Sequence, residues 1–82
     1  MIISNTNTNK ASGSIYSGLT ITSDKTKYSF LKVSGVNNYV TIKNNNSPWK
    51  TLGKQFNSFD DAQTNYKNPK LKAMILMADS IL

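Results

Sequence analysis

The strand pattern is clearest in residues 27–43, which read KYSFLKVSGVNNYVTIK. Apolar and polar side chains alternate in 27–33 and again in 39–43, and β-branched and aromatic residues are frequent in both stretches. This alternation is typical of half-buried β-strands, whereas a helix repeats its apolar residues every three or four positions. The sequence therefore predicts two antiparallel strands joined by a short turn.

The connection between these two strands determines which residues share a face. A loop of even length, either 37–38 or 35–38, places the aliphatic residues of both strands on the same side of the sheet. A loop of odd length would instead place Val33 opposite Tyr39 and mix the two sides. Because the even loop gives one continuous aliphatic face, we expect a core face with four residues from these strands: Leu31, Val33, Val40 and Ile42.

Further predicted segments flank this pair of strands. The stretch 14–22 alternates in the same way and is followed by a turn signal at 23–26. Residues 49–56 form a predicted fourth strand, shortened or bulged near Gly53. Residues 1–13 are polar and have no periodic apolar face, so we expect them to form a flexible N-terminal arm or an edge segment.

Helical spacing follows the fourth strand. Ser58 is expected to cap a first helix whose first turn carries Asp60 and Asp61, where the helix dipole favours negative charge. Pro69 interrupts this helix, because the residue before a proline is disfavoured in the helical conformation, and Asn68 is expected to cap a second part. The apolar residues of that part recur at helical spacing: Leu71, Met74, Ile75, Ala78, Ile81 and Leu82.

Together these segments predict an α+β fold. A three- to four-stranded antiparallel sheet is followed by a C-terminal helical segment, broken at Pro69, that packs on one face of the sheet. The helix needs an apolar partner, and the aliphatic face is the one available. The chain has 82 residues, which is enough for one small domain, and we place that domain at 14–82.

The composition excludes most catalytic chemistry. The chain has ten lysines and four aspartates, a net charge of +6, and no histidine, cysteine, arginine or glutamate. Zinc sites made of Cys and His, and nucleophiles paired with His, need residues that are absent. Asp60 and Asp61 are sequence neighbours that point apart on a helix and do not form a catalytic pair. We therefore expect no enzymatic activity, no metal and no cofactor.

The sequence also suggests a location. Ile2 and Ile3 are followed at once by a polar run, which is unlike a signal sequence, and the longest apolar run, 73–78, is too short to cross a membrane. Lysine without arginine, together with many asparagines, indicates an A+T-rich coding sequence, as in a low-GC bacterium or its phage. We expect a cytoplasmic protein, in a bacterial host if the chain is phage-encoded, with no membrane contact.

With the aliphatic face covered by the helix, the opposite face would alternate aromatic residues with lysines: Tyr28, Phe30, Lys32, Tyr39, Thr41 and Lys43. Aromatic rings stack on bases and ammonium groups lie near phosphates, which is the combination that binds single-stranded nucleic acid. Trp49, with Lys50 and Lys54 close to it in the sequence, extends this pattern beyond the Asn-rich loop. The expected partner is single-stranded nucleic acid or another phosphate-bearing ligand.

Each of these features has a structural alternative. The aromatic residues could be covered by another segment or by a second subunit, and Trp49 could fill the core between sheet and helix. The lysines around Pro69 could form a phosphate site or the solvated side of a helix. The competing function is a phage-type inhibitor or adaptor, for example one directed against a bacterial defence system, that binds an acidic surface of a larger, nucleic-acid-handling protein complex.

An apolar surplus predicts self-association. Leu76 and Met77 lie off the main apolar stripe of the last helix. One small sheet is not large enough to cover them together with the stripe and an aromatic sheet face. Two-fold pairing is the commonest way to bury such a surface, so we expect a homodimer.

Overall fold

The computed structural model describes residues 2–5, 9–11, 13–44 and 53–82. These residues form one antiparallel sheet and two helices, and both helices pack on the same face of the sheet. The α+β class is therefore confirmed, and so is the order of a sheet followed by C-terminal helices.

The sheet contains six strands in five lateral positions. The strands are β1 (Ile2–Asn5), β2 (Asn9–Ala11), β3 (Ser14–Ser23), β4 (Thr26–Gly35), β5 (Tyr39–Asn44) and β6 (Lys54–Phe56). β1 and β2 pair with different stretches of the same edge of β3, and β4, β5 and β6 follow in order on its other side. The sheet is wider than predicted because N-terminal residues add strands to its edge.

The hairpin of β3 and β4 is the longest pairing in the sheet, with ten residue pairs opposite each other. Its turn, Asp24–Lys25, lies within the predicted turn at 23–26. Asp24 has a φ of 56°, in the left-handed region that aspartate tolerates better than most residues. The predicted strand 49–56 is represented by β6, and the residues before Gly53 in that stretch lie outside the described residues.

The connection between β4 and β5 differs from the predicted one. Three residues, 36–38, join the two strands, so the connection is odd and Val33 lies opposite Tyr39. Gly35 has a φ of +122°, a conformation that favours glycine. The Asn38 side chain closes this turn, since its Oδ1 accepts from Gly35 N at 3.2 Å and its Nδ2 donates to Gly35 O at 3.1 Å. The even loop expected from the sequence was therefore wrong.

The odd connection exchanges the two faces of β4. Phe30 lies opposite Ile42 and is 2% exposed, and Tyr28 packs against the core from the same side. Leu31 lies opposite Thr41 on the other side of the sheet and is half-buried. The expectation that Leu31 and Val33 share a core face with Val40 and Ile42 was thus wrong.

The core between sheet and helices is a single cluster of buried side chains. Its members are Leu19, Ile21, Phe30, Val40 and Ile42 from the sheet and Phe59, Ala62, Leu71, Met74, Ile75 and Ala78 from the helices. Val33 is also buried but lies outside this cluster. The helices therefore cover a face that is partly aromatic.

The first helix, α1, spans Phe59–Asn65. Its cap is the predicted one, because the Ser58 hydroxyl accepts a hydrogen bond from Asp61 N at 3.1 Å. The first turn is acidic, which suits the positive end of the helix dipole. Phe59 and Ala62 are buried, so the cap determines which side chains of this short helix enter the core.

The second helix, α2, spans Pro69–Ile81 and begins at the predicted proline. Asn68 Oδ1 accepts a hydrogen bond from Lys70 N at 2.9 Å. Lys70 Nζ lies 3.1 Å from Asp24 Oδ2 and connects the start of α2 to the β3–β4 turn. The Lys70 side chain is 41% exposed and that of Asp24 is 86% exposed, so this ion pair contributes little, about 0–1 kcal/mol.

The exchange of faces can be tested with neighbouring residues. Phe30→Ala should lower the free energy of unfolding by about 3–5 kcal/mol, because it opens a cavity in the core. Leu31→Ala, on the opposite face, should cost clearly less, since Leu31 is only half-buried. Urea denaturation of both variants measures the difference. An equal or larger loss for Leu31→Ala would contradict the odd connection.

Candidate nucleic-acid interface

The predicted interface residues divide between the two sides of the sheet. Lys32 lies opposite Val40 and Lys54 opposite Ile42, so both lie on the helix side with Tyr28 and Phe30. Tyr39, Thr41 and Lys43 lie on the other side, in β5. The expectation that these residues form one continuous face was wrong. Trp49 and Lys50 lie outside the described residues.

Phe30 and Tyr28 belong to an aromatic group beside the helices. The ring centroids of Phe30 and Phe59 are 6.3 Å apart at an interplanar angle of 65°, and those of Tyr28 and Phe30 are 6.5 Å apart. Edge-to-face packing of this kind stabilises a core beyond the area it buries. Phe30 therefore has no ring surface to offer to a base, and Tyr28 is half-buried against the same core.

Lys54 makes its contacts with aromatic rings. Its Nζ lies 5.9 Å from the ring centroids of both Phe56 and Tyr66, and these two rings are 5.8 Å apart. An exposed ammonium over a ring gains about 0.5–1 kcal/mol. Burial raises the pKa of Tyr66 above its ordinary value of 10.0, and the neighbouring Tyr28 raises it further. Lys54 thus caps an aromatic pair at the end of α1.

The side of the sheet opposite the helices, here called the helix-free face, carries Tyr16, Thr20, Lys27, Ser29, Leu31, Val33, Tyr39, Thr41 and Lys43. Val33 is buried between Tyr16 and Tyr39, which lie opposite it on β3 and β5. Both tyrosines are half-buried, so each keeps part of its surface accessible. This face therefore has an aromatic end.

Its other end combines hydroxyls and lysines. Thr20, Ser29 and Lys43 lie side by side on β3, β4 and β5, and Thr20 Oγ1 and Ser29 Oγ share a hydrogen bond of 3.2 Å. Lys27 lies one step further along β4 and is exposed. A cavity of about 230 Å³ opens here, with Gly18, Thr20, Ser29, Thr41, Lys43 and Gly53 among its lining residues.

The four aspartates of the chain lie outside the strands of the helix-free face. Asp24 is in the β3–β4 turn and is paired with Lys70, Asp60 and Asp61 are in α1, and Asp79 is in α2. The charged residues that the described strands place on the helix-free face are therefore lysines only. Such a distribution favours an anionic partner on this side.

Sequence reasoning omitted Tyr16 and Lys27 from the interface. The alternation in 14–22 already placed Tyr16 with Thr20, on the side away from Leu19 and Ile21. The missing information was the register between β4 and β5, because an even loop would place Val40 instead of Tyr39 on the face that carries Tyr16. With an odd connection, Tyr16 and Tyr39 lie on either side of Val33 on the same face of the sheet.

The environment of Tyr66 gives a titration prediction. The pKa of Tyr66 is raised in the folded state. The contribution of this group to stability is therefore fully present below the unfolded pKa of about 10, and it is lost as the pH rises through the raised value. The difference in tyrosinate absorbance between the wild type and Tyr66→Phe should show a transition above pH 10. A transition at or below the ordinary value would contradict this environment.

Among residues 2–5, 9–11, 13–44 and 53–82, no group of three or more acidic or other metal-ligating side chains could hold a metal ion. Neither described helix is long and apolar enough to cross a membrane. Comparison with known proteins gives no match for this chain, whether to a protein-family model, to a curated protein or to a solved structure.

Proposed function

We propose that this chain is a non-enzymatic binding protein for single-stranded nucleic acid, or another phosphate-bearing ligand, and that the ligand lies across the helix-free face. The observation that supports this most directly is the arrangement of Tyr16 and Tyr39 at one end of the face and Lys27 and Lys43 at the other. Half-buried rings provide stacking surfaces for bases, and ammonium groups neutralise phosphates.

The two ends are separated by a distance suited to a polymer. Tyr39 and Lys43 are four residues apart on β5, which corresponds to about 13 Å along an extended strand. A ligand that stacks on Tyr39 and reaches Lys43 must therefore be longer than a single base. Thr41 lies in the interval, opposite Leu31 on β4, and provides a neutral hydrogen-bond partner between the two ends.

The net charge of the chain also favours a nucleic-acid ligand. With a charge of +6, the chain attracts polyanions at long range, and each lysine that meets a phosphate releases counterions. The acidic residues of α1 and α2 belong to the helices on the other side of the sheet. Their repulsion of a phosphate backbone on the helix-free face is therefore weaker than it would be on the helix side. Binding should therefore weaken steeply as salt is added.

The interface prediction uses Tyr39 and Lys43. Tyr39→Ala should weaken the binding of a single-stranded oligonucleotide by about 1–3 kcal/mol through lost stacking. Lys43→Ala should weaken binding equally for all sequences and reduce the salt slope by about one unit. Lys54→Ala is the matched control, because Lys54 lies on the helix side. Fluorescence titration at several salt concentrations measures all three.

Thermal melting of the same variants separates binding from folding. Tyr39 is half-buried, so some loss of melting temperature is expected with the alanine variant. Reduced stability with unchanged oligonucleotide affinity per folded molecule would contradict the interface. Absence of wild-type binding at low salt would contradict the function itself, since electrostatic contacts are strongest there.

A second candidate function, an inhibitor or adaptor that docks on a larger nucleic-acid-handling protein complex, is favoured by the outer side of α2. Leu76 is 56% exposed and Ile81 is 46% exposed, although both are large and apolar. With Met77 and Ser80 they line a surface cavity of about 300 Å³, and none of these four side chains is charged. Exposed apolar groups of this kind are typical of protein contacts.

The same surface supports the proposed homodimer, and light scattering tests it. At micromolar concentration the particle mass should be twice the chain mass of 9.1 kDa. Leu76→Glu should return it to the monomer with little change in melting temperature, since Leu76 is exposed. Ile2→Glu is the control, because Ile2 is also exposed but belongs to the helix-free side. A wild-type particle of one chain mass would refute the dimer.

A further inference from the structure

We propose that the cavity between Lys43 and the Thr20–Ser29 pair is a subsite for one phosphate group, and that a nucleotide bound there directs its base toward the tyrosine end of the helix-free face. This inference rests on the proposed function, since it specifies where on that face a phosphate binds. The shared chemistry is a phosphate oxygen, whether it comes from free phosphate or from a nucleic-acid backbone.

The donors required for a phosphate are present on three adjacent strands. Lys43 supplies a positive charge from β5, and it lies next to Ser29, which in turn lies next to Thr20. Thr41 adds another hydroxyl to the cavity lining. Hydroxyl protons rotate to suit their partners, so Thr20 and Thr41 can donate to a phosphate oxygen while Lys43 neutralises its charge.

The shape of the cavity suits a compact anion. Its volume of about 230 Å³ is several times the roughly 30 Å³ that one water occupies in the liquid, so a phosphate fits together with part of its hydration shell. Gly18 and Gly53 line it without side chains. A Cβ atom at Gly53 would lie 3.2 Å from Thr41 Cβ, so the backbone of Gly53 approaches the Thr41 side chain closely.

The charge around the cavity favours an anion. Among the described residues that line it none is acidic, and Lys43 is the one that is charged. Lys43 is half-buried, whereas Lys27 is exposed. A phosphate in this position therefore meets a positive charge and no described carboxylate within the lining.

The position of the cavity also orients the ligand. Thr41 lies two residues before Lys43 and two residues after Tyr39, so each step is about 6.6 Å along β5. A phosphate at Lys43 places the attached sugar near Thr41 and the base near Tyr39 or Tyr16. Between Lys43 and the rings the helix-free face carries Gly18, Leu31 and Thr41, so the sugar would lie against Leu31 and Thr41.

The test titrates isotope-labelled protein with inorganic phosphate against sodium chloride at equal ionic strength and follows amide resonances. In the wild type, phosphate should shift Thr20, Thr41 and Lys43 with saturation. Lys43→Gln should weaken phosphate binding roughly 10- to 100-fold and Thr41→Val roughly 2- to 10-fold, as expected for losing a charged and a neutral hydrogen bond. Lys54→Gln, on the helix side of the sheet and outside the described lining of the cavity, should leave phosphate binding unchanged.

The possible results distinguish failure of the phosphate subsite from failure of the proposed nucleic-acid binding. Equal effects of Lys43→Gln and Lys54→Gln, or shifts without saturation, would overturn the subsite even if an oligonucleotide still binds. Saturable phosphate binding that Lys43→Gln removes would support the subsite. If an oligonucleotide then fails to compete with phosphate, the subsite serves a small phosphorylated ligand, and the nucleic-acid proposal and the base orientation are overturned.

Discussion

The paired hydrogen bonds between the Asn38 side chain and the Gly35 backbone set the register of the central strands. They close an odd connection, and Gly35 provides the positive φ that this turn needs. Because side chains alternate with a period of two, a single residue in this loop decides whether Phe30 or Leu31 shares a face with Val40 and Ile42. The core, the aromatic group near α1 and the helix-free face all follow from that choice.

Sequence reasoning succeeded where the signal was local. The caps at Ser58 and Asn68 and the break at Pro69 are fixed by neighbouring residues, and the structure has them. The predicted apolar stripe of α2 is buried from Leu71 to Ala78, whereas Ile81 is exposed. The β3–β4 turn is also local, and it too lies where predicted. These features depend on side chains that bond to backbone groups within a few positions, so they can be inferred without knowing the rest of the fold.

The candidate site could not be predicted in the same way because it depends on register between strands. Leu31 and Val33 are more aliphatic than Phe30 and Tyr28, so composition alone favoured them as the core. The helices, however, present Phe59 and Met74, and these pack with aromatic Phe30 as readily as with an aliphatic residue. Burial of Val33 outside the core cluster shows that aliphatic character did not determine the face.

The exposed side of α2 and the helix-free face lie on opposite sides of the sheet, so one can form a contact while the other stays open. The apolar residues Leu76 and Ile81 belong to α2, whereas Tyr39 and Lys43 belong to the helix-free face. Pairing two chains through α2 would leave both helix-free faces uncovered and directed away from the contact. Two weak sites on one particle bind a long strand with an effective concentration set by their separation, so a modest site per chain would suffice for useful affinity.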